Sequence, residues 1–188
     1  MKNTFSAILA LLLAAHCKCN DNPNIIFLLA DDLGFADVGY HDPHVISPNI
    51  DELAQTGIDL EQNYMQPMCT PSRAALMTGM YPYHIGRQQY VIEPTTPTGL
   101  TMNSTLLPQR LKTLGYDTHL VGKWHLGFCN EQYLPTNRGF DTHYGFWEGA
   151  EDYYTKVHYP FYFGRKLKIF SVSNIKNKLF IFICLVPT

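Results

Sequence analysis

The run Asn24-Ile25-Ile26-Phe27-Leu28-Leu29-Ala30, opened by Pro23 and stopped by Asp31-Asp32, constrains this chain more than any other stretch. After Asn24 it holds no polar residue, so it lacks the alternation of a strand with one wet face. A short, continuous apolar run of this kind predicts a strand of a parallel sheet, buried on both sides. Helices that such a sheet needs for its crossovers are written further along. Ser47-Pro48 reads as an N-cap followed by proline at the first helical position, with Ile50, Leu53 and Ala54 on one face and Gly57 as a stop. A second helix is expected from near Pro71 through Ala74, Ala75, Leu76 and Met77 to Gly79. A third runs from about Leu106 to Leu114, with Gly115 as its C-cap. Thr118-His119-Leu120-Val121 then reads as a short strand ending at Gly122. Strands alternating with helices predict an α/β fold with a mostly parallel sheet.

Residues 1–19 read as a secretory signal peptide. Lys2 supplies the positive start, Ile8 to Ala15 the apolar stretch, and Ala14 and Ala15 the small residues before the polar Asn20-Asp21-Asn22. That apolar stretch is too short to span a bilayer, so no transmembrane anchor is expected from it. Entry into the secretory pathway would make Asn103-Ser104-Thr105 an N-glycosylation acceptor at Asn103. Of the five cysteines, Cys17 and Cys19 lie at the expected cleavage site, which leaves Cys69, Cys129 and Cys184. An odd remainder in a secreted chain points to a free or modified thiol. The formal charge of −2 gives no basic stripe for nucleic acid.

From about Arg165 the character changes, with Lys and Asn scattered among Ile and Phe up to Ile183. The terminal apolar run is too short for a membrane span and strongly β-prone. The reading is that residues 20–164 form one domain and that residues 165–188 do not belong to it.

Asp31 and Asp32 follow the first strand, and ligands of parallel sheets bind outside the carboxyl ends of the strands. Adjacent carboxylates repel, and a hard divalent cation such as Ca²⁺ or Mg²⁺ relieves that. The same pair also suits an ordinary turn. The stretch Pro67-Met68-Cys69-Thr70-Pro71-Ser72-Arg73 sets Cys69 just before a helix N-terminus, where backbone N–H groups attract an anion such as sulfate. Arg73, one turn on, offers a rigid fork of donors. Either a reactive or a buried structural cysteine fits that position.

Cys-x-Pro-x-Arg followed by Leu76-Met77-Thr78-Gly79 resembles the first signature of the sulfatases, and Gly115-Tyr116-Asp117-Thr118-His119-Leu120-Val121-Gly122-Lys123-Trp124-His125 resembles the second. Leu126-Gly127, Arg138-Gly139-Phe140-Asp141 and Glu151-Asp152-Tyr153-Tyr154 extend the likeness, which looks closest to the arylsulfatase B group and covers residues 24–154. The resemblance implies an alkaline-phosphatase-like fold, truncated here. It also implies hydrolysis of sulfate esters, including sulfated glycans, in the lysosome or outside the cell. By the same resemblance Cys69 is converted by the formylglycine-generating enzyme to Cα-formylglycine, whose hydrated form supplies the attacking oxygen. Asp31, Asp32 and modified Cys69 are then ligands of Ca²⁺, Arg73 positions the formylglycine, Lys123 binds the sulfate, and His125 helps remove a diol proton. The remaining histidines, His41, His44, His84, His119, His143 and His158, are expected to be structural, since none has zinc-type spacing.

The family pattern also requires a later Asp-Asn pair, a further His and a further Lys, none identifiable before Thr188. An inactive secreted fragment is therefore the alternative to an active enzyme, and a phosphoesterase on a related fold is a third reading, which the Cys-x-Pro-x-Arg core disfavours.

Overall fold

The computed structural model describes residues 23–152, Tyr154, 157–158, 161–162 and 178–185. The expected signal peptide, residues 1–19, and residues 165–177 lie outside them. In chain order the elements are β1 (Ile25–Ala30), α1 (Pro48–Thr56), α2 (Cys69–Thr78), α3 (Leu107–Thr113), β2 (Tyr116–Val121), β3 (Thr142–Tyr144), β4 (Val157–His158), β5 (Phe161–Tyr162) and β6 (Lys178–Leu185). Three single-turn 3₁₀ segments fill the connections at Pro82–Ile85, Glu131–Tyr133 and Pro135–Asn137.

Four strands form one sheet in the order β1-β6-β2-β3, and each neighbouring pair is parallel. The α/β architecture is thus the one the alternation of elements predicts. The short antiparallel pair β4–β5 forms a separate sheet.

The position of β6 differs from the sequence expectation, which set residues 165–188 apart from the domain. Lys178–Leu185 lies between β1 and β2, with Phe180 opposite Ile25 on one side and Thr118 on the other. Phe180 and Phe182 are almost wholly buried. Phe182 stacks on Phe27 at 5.2 Å between ring centroids, and Phe180 faces Phe140 at 6.5 Å. An apolar, β-prone run that is hazardous when exposed is what an interior strand requires.

A second difference concerns β1. It is parallel as expected, but its burial alternates, and Ile26 and Leu28 are 63% and 53% exposed. Among the described residues no element covers the side to which these two point. Helix α1 behaves likewise. It forms at Ser47-Pro48 as expected, yet none of its residues is buried and Leu53 stays exposed. Ser47 does not cap the helix backbone. Its hydroxyl accepts from the Gly39 N–H and donates to Asp51.

Helix α2 starts two residues before Pro71, with Met68 as N-cap and Cys69 as first helical residue, and ends at Gly79 in the left-handed conformation. At the start of α3 the Leu106 N–H donates to the Gln109 side chain at 2.7 Å. Ala74 and Met77 of α2, Leu111 of α3 and Leu120 of β2 pack with Trp124 and Phe140 in one core. Helix α2 is fixed by that core, so its N-terminal residue is delivered to a set place above the sheet.

Candidate active site

The sheet presents the ends of β1 and β2 on the same side, since both run parallel. Asp31-Asp32 extend β1, and residues 122–125 extend β2. That extension continues β3's pairing beyond the strand ends: Gly122 N–H donates to Tyr144 O, Trp124 N–H to Phe146 O and His125 N–H to Trp147 O, at 2.7–3.0 Å. Gly145, at φ 152°, approaches Gly122 so closely that a Cβ would overlap its carbonyl. Side chains alternate along such a segment. Trp124 enters the core and donates its indole N–H toward the carbonyls of Gly127 and Tyr133. Lys123 and His125 flank it.

The Lys123 ammonium donates to Asp31 Oδ2 at 2.7 Å and to Cys69 Sγ at 3.2 Å. Arg73 donates through Nη1 to the Lys123 carbonyl at 2.7 Å, and its Nη2 lies 3.8 Å from Asp31 Oδ1. Asp31, Arg73 and Lys123 are all buried. Their neighbour Asp32 is exposed and holds a left-handed backbone, φ 60°. For an aspartate that conformation is tolerable but uncommon. A cleft of about 270 Å³ opens over this group, lined by Asp31, Asp32, Met68, Cys69, Ser72 and Arg73.

One ligand atom each from Asp31, Asp32 and Cys69 lies within 4.8 Å of the others. Two carboxylates suit a hard cation such as Ca²⁺, whereas a thiol sulfur does not. An oxygen in place of that sulfur would complete a hard donor set, so the residues fit calcium provided Cys69 is converted.

His125 is tied in from a different direction. Its ring Nε2 lies 3.1 Å from the Ile92 carbonyl, which can only accept, so Nε2 carries the proton. Nδ1 is buried and has no hydrogen-bond partner among the described residues. Burial first, and then the Lys123 charge, push the imidazole down to about 4, against a raising effect of the Ile92 carbonyl. The ring is therefore neutral near pH 7 and Nδ1 offers a lone pair. His125 also has a left-handed backbone, φ 57°.

Of the six residues expected at the centre, Asp31, Asp32, Cys69, Arg73 and Lys123 are brought together, and the sixth, His125, lies where the charges of Lys123, Arg73 and Asp31 act on it. Asn103 stands apart, exposed in the loop before α3. That loop is pinned by Arg138, whose buried guanidinium donates to the carbonyls of Leu100, Thr101 and Ser104. The other histidines with described partners make structural bonds, His119 to Thr142 Oγ1, His143 to the Gly122 carbonyl and His41 to the Phe35 carbonyl. Cys69 and Cys129 are free thiols. Sequence reasoning missed Thr70, which is wholly buried and bonds both His125 and the Ile92 segment. The position reads as the variable residue of its motif, and nothing in the sequence signals its partners.

Comparison with known proteins places the chain in a family. The family model described as Sulfatase matches residues 23–178. Arylsulfatase J of Mus musculus is 53% identical over 133 residues, covering 71% of this chain and 22% of the relative. Arylsulfatase A of Bos taurus is 41% identical over 140 residues, covering 73% and 28%. A crystal structure of Ps i-CgsB in complex with k-i-k-neocarrahexaose superposes with a TM-score of 0.77 at 31% identity, covering 87% of this chain and 45% of that one. The chain spans about a quarter of the length of these curated relatives. A family match over most of its length, together with the cluster above the strand ends, means that this chain belongs to the sulfatase family.

Proposed function

We propose that this chain supplies the nucleophile side of a sulfuric ester hydrolase, with Cys69 converted to Cα-formylglycine by the formylglycine-generating enzyme. One observation carries the reading. A cysteine at the first position of a helix lies 3.2 Å from a buried ammonium and beside two carboxylates that fit calcium. When formed, the hydrated aldehyde supplies a hydroxyl nucleophile and a second hydroxyl for release of sulfate. Bound calcium would supply positive charge for the sulfate oxygens.

The chain's own residues then divide the remaining work. Lys123 holds a cation beside the residue-69 side chain, where an incoming sulfate needs charge neutralised. Arg73 keeps Asp31 and the Lys123 backbone in place. His125, neutral with Nδ1 unprotonated, can take a proton. The substrate class proposed is a sulfate ester carried on a glycan, supported by the oligosaccharide in the Ps i-CgsB complex. The likeness of the motif stretches to the arylsulfatase B group supports the same class. The signal-peptide layout of residues 1–19 supports passage through the secretory pathway to the lysosome or the exterior, with a glycan on the exposed Asn103.

Assaying the complete protein and its Cys69→Ala variant on an aryl sulfate and an aryl phosphate tests the proposal. It requires sulfate turnover that the variant lacks. Turnover unchanged in the variant, or a preference for phosphate, contradicts it.

A further inference from the structure

Thr70 makes two bonds that close a ring around His125. Its hydroxyl donates to the His125 carbonyl at 3.1 Å and accepts the Ile92 N–H at 3.1 Å. The Ile92 carbonyl in turn accepts from His125 Nε2 at 3.1 Å. Thr70 and Ile92 are buried, at 0% and 5% exposure, so water does not compete for these groups. A hydroxyl has one proton to give, and here it goes to a carbonyl while a lone pair takes the amide. An isosteric valine would leave both backbone groups buried and unbonded.

The ring acts on a strained residue. His125 holds φ 57°, and a non-glycine residue keeps such a backbone only where its surroundings over-determine it. Its N–H is fixed by the Trp147 carbonyl and its C=O by Thr70. Its ring is fixed by the Ile92 carbonyl and meets Gly149, where an added Cβ would lie 2.7 Å from the imidazole Cε1.

From this closed ring we infer that Thr70 is a positioning residue, whose hydroxyl locks His125 in register with the neighbouring Cys69 and fixes the imidazole in its Nε2–H tautomer. Cys69 and Thr70 are consecutive residues at the start of α2, so the helix that carries the nucleophile also sets the base. This inference rests on the proposed sulfatase chemistry for its functional consequence, though not for its geometry.

The test compares Thr70→Val and Thr70→Ser in the complete protein. Conversion of Cys69 is measured separately by mass spectrometry, because Thr70 lies inside the modification motif. Per converted molecule, Thr70→Val should lower kcat on an aryl sulfate by roughly tenfold to a hundredfold with little change in KM, the scale of a displaced catalytic group. Thr70→Ser should restore kcat. Hydrogen exchange gives a readout free of activity, with the Ile92 amide slow in the wild type and in Thr70→Ser and fast in Thr70→Val. Nitrogen-15 shifts of His125 in the wild type should report the Nε2–H tautomer, a measurement that stands even if the valine variant does not fold. Equal kcat and equal Ile92 protection in wild type and Thr70→Val would overturn the inference. So would equal impairment of both variants, which would make the methyl group the essential part, or an Nδ1–H tautomer. If the wild type turns over no sulfate ester, the proposed function fails, while exchange and tautomer still decide the role of Thr70.

Discussion

Lys123 and Asp31 follow strands that are not neighbours, yet their side chains meet at 2.7 Å. β6 lies between β1 and β2, so the two strand ends stand two inter-strand spacings apart, about 10 Å. A side chain as long as lysine is needed to cross that gap, and once across it also reaches Cys69.

Replacing Lys123 by Met keeps the length and removes the charge. Asp31 then remains buried with Arg73 at 3.8 Å as its other cation. Stranding part of a buried ion pair costs up to about 3 kcal/mol, to be read as a lower midpoint in chemical unfolding. Sulfate turnover should fall with it. A variant as stable and active as the parent would remove Lys123 from the site.

The interior placement of β6 has its own test. Phe182 is fully buried and stacked on Phe27. Phe182→Ala should cost about 3–5 kcal/mol, the range for emptying a large aromatic site in a core. A change below about 0.5 kcal/mol, typical of surface positions, would mean that this strand is not part of the sheet.

Acid should unfold the protein through its buried histidines. Burial holds His143 at about 4 against an ordinary value of 6.5, and His125 is held at about 4 as well. Between those values the unfolded chain binds more protons than the folded one, so stability rises with pH. Their contribution is complete above pH 6.5 and lost as the pH falls to about 4. Each group can add a slope of up to about 1.4 kcal/mol per pH unit. Urea unfolding of His143→Gln between pH 4.5 and 7 should show a shallower dependence than the wild type; an identical slope would contradict the assignment.

Calcium should stabilise the folded state. At a hundred times its dissociation constant a ligand adds about 2.7 kcal/mol, visible as a higher melting temperature. Chelation should reverse the gain, and Asp32→Ala should abolish it. Magnesium, which demands a tighter octahedral shell, should act more weakly. A calcium response that survives Asp32→Ala would place the ion elsewhere.

Much of this arrangement was legible in the sequence. Short-range rules located helices α1 to α3 and strands β1 and β2, because caps, prolines and glycines act within a few residues. Of the five residues clustered at the strand ends, Cys69, Arg73 and Lys123 were legible through two motifs, and Asp31 and Asp32 through their place after the first strand. Long-range facts were not. The run at Lys178–Leu185 gives no sign of which strands it pairs with, and the lysines and asparagines scattered through the sequence before it made it look foreign to the fold. The apolar side chains of Ile26 and Leu28 were expected to be buried, and pattern cannot say whether a covering layer is present. Thr70 went unnoticed because a hydroxyl's role depends on which backbone groups face it, here one 22 and one 55 residues away.

The proposed chemistry stands on the conversion of Cys69 into the nucleophile. Mass spectrometry of the peptide spanning residues 66–73, taken from the complete protein after passage through the secretory pathway, tests it most directly. An aldehyde, trapped by a hydrazine reagent, is expected in place of the thiol at position 69. An active enzyme whose Cys69 remains an unmodified, alkylatable thiol would contradict it.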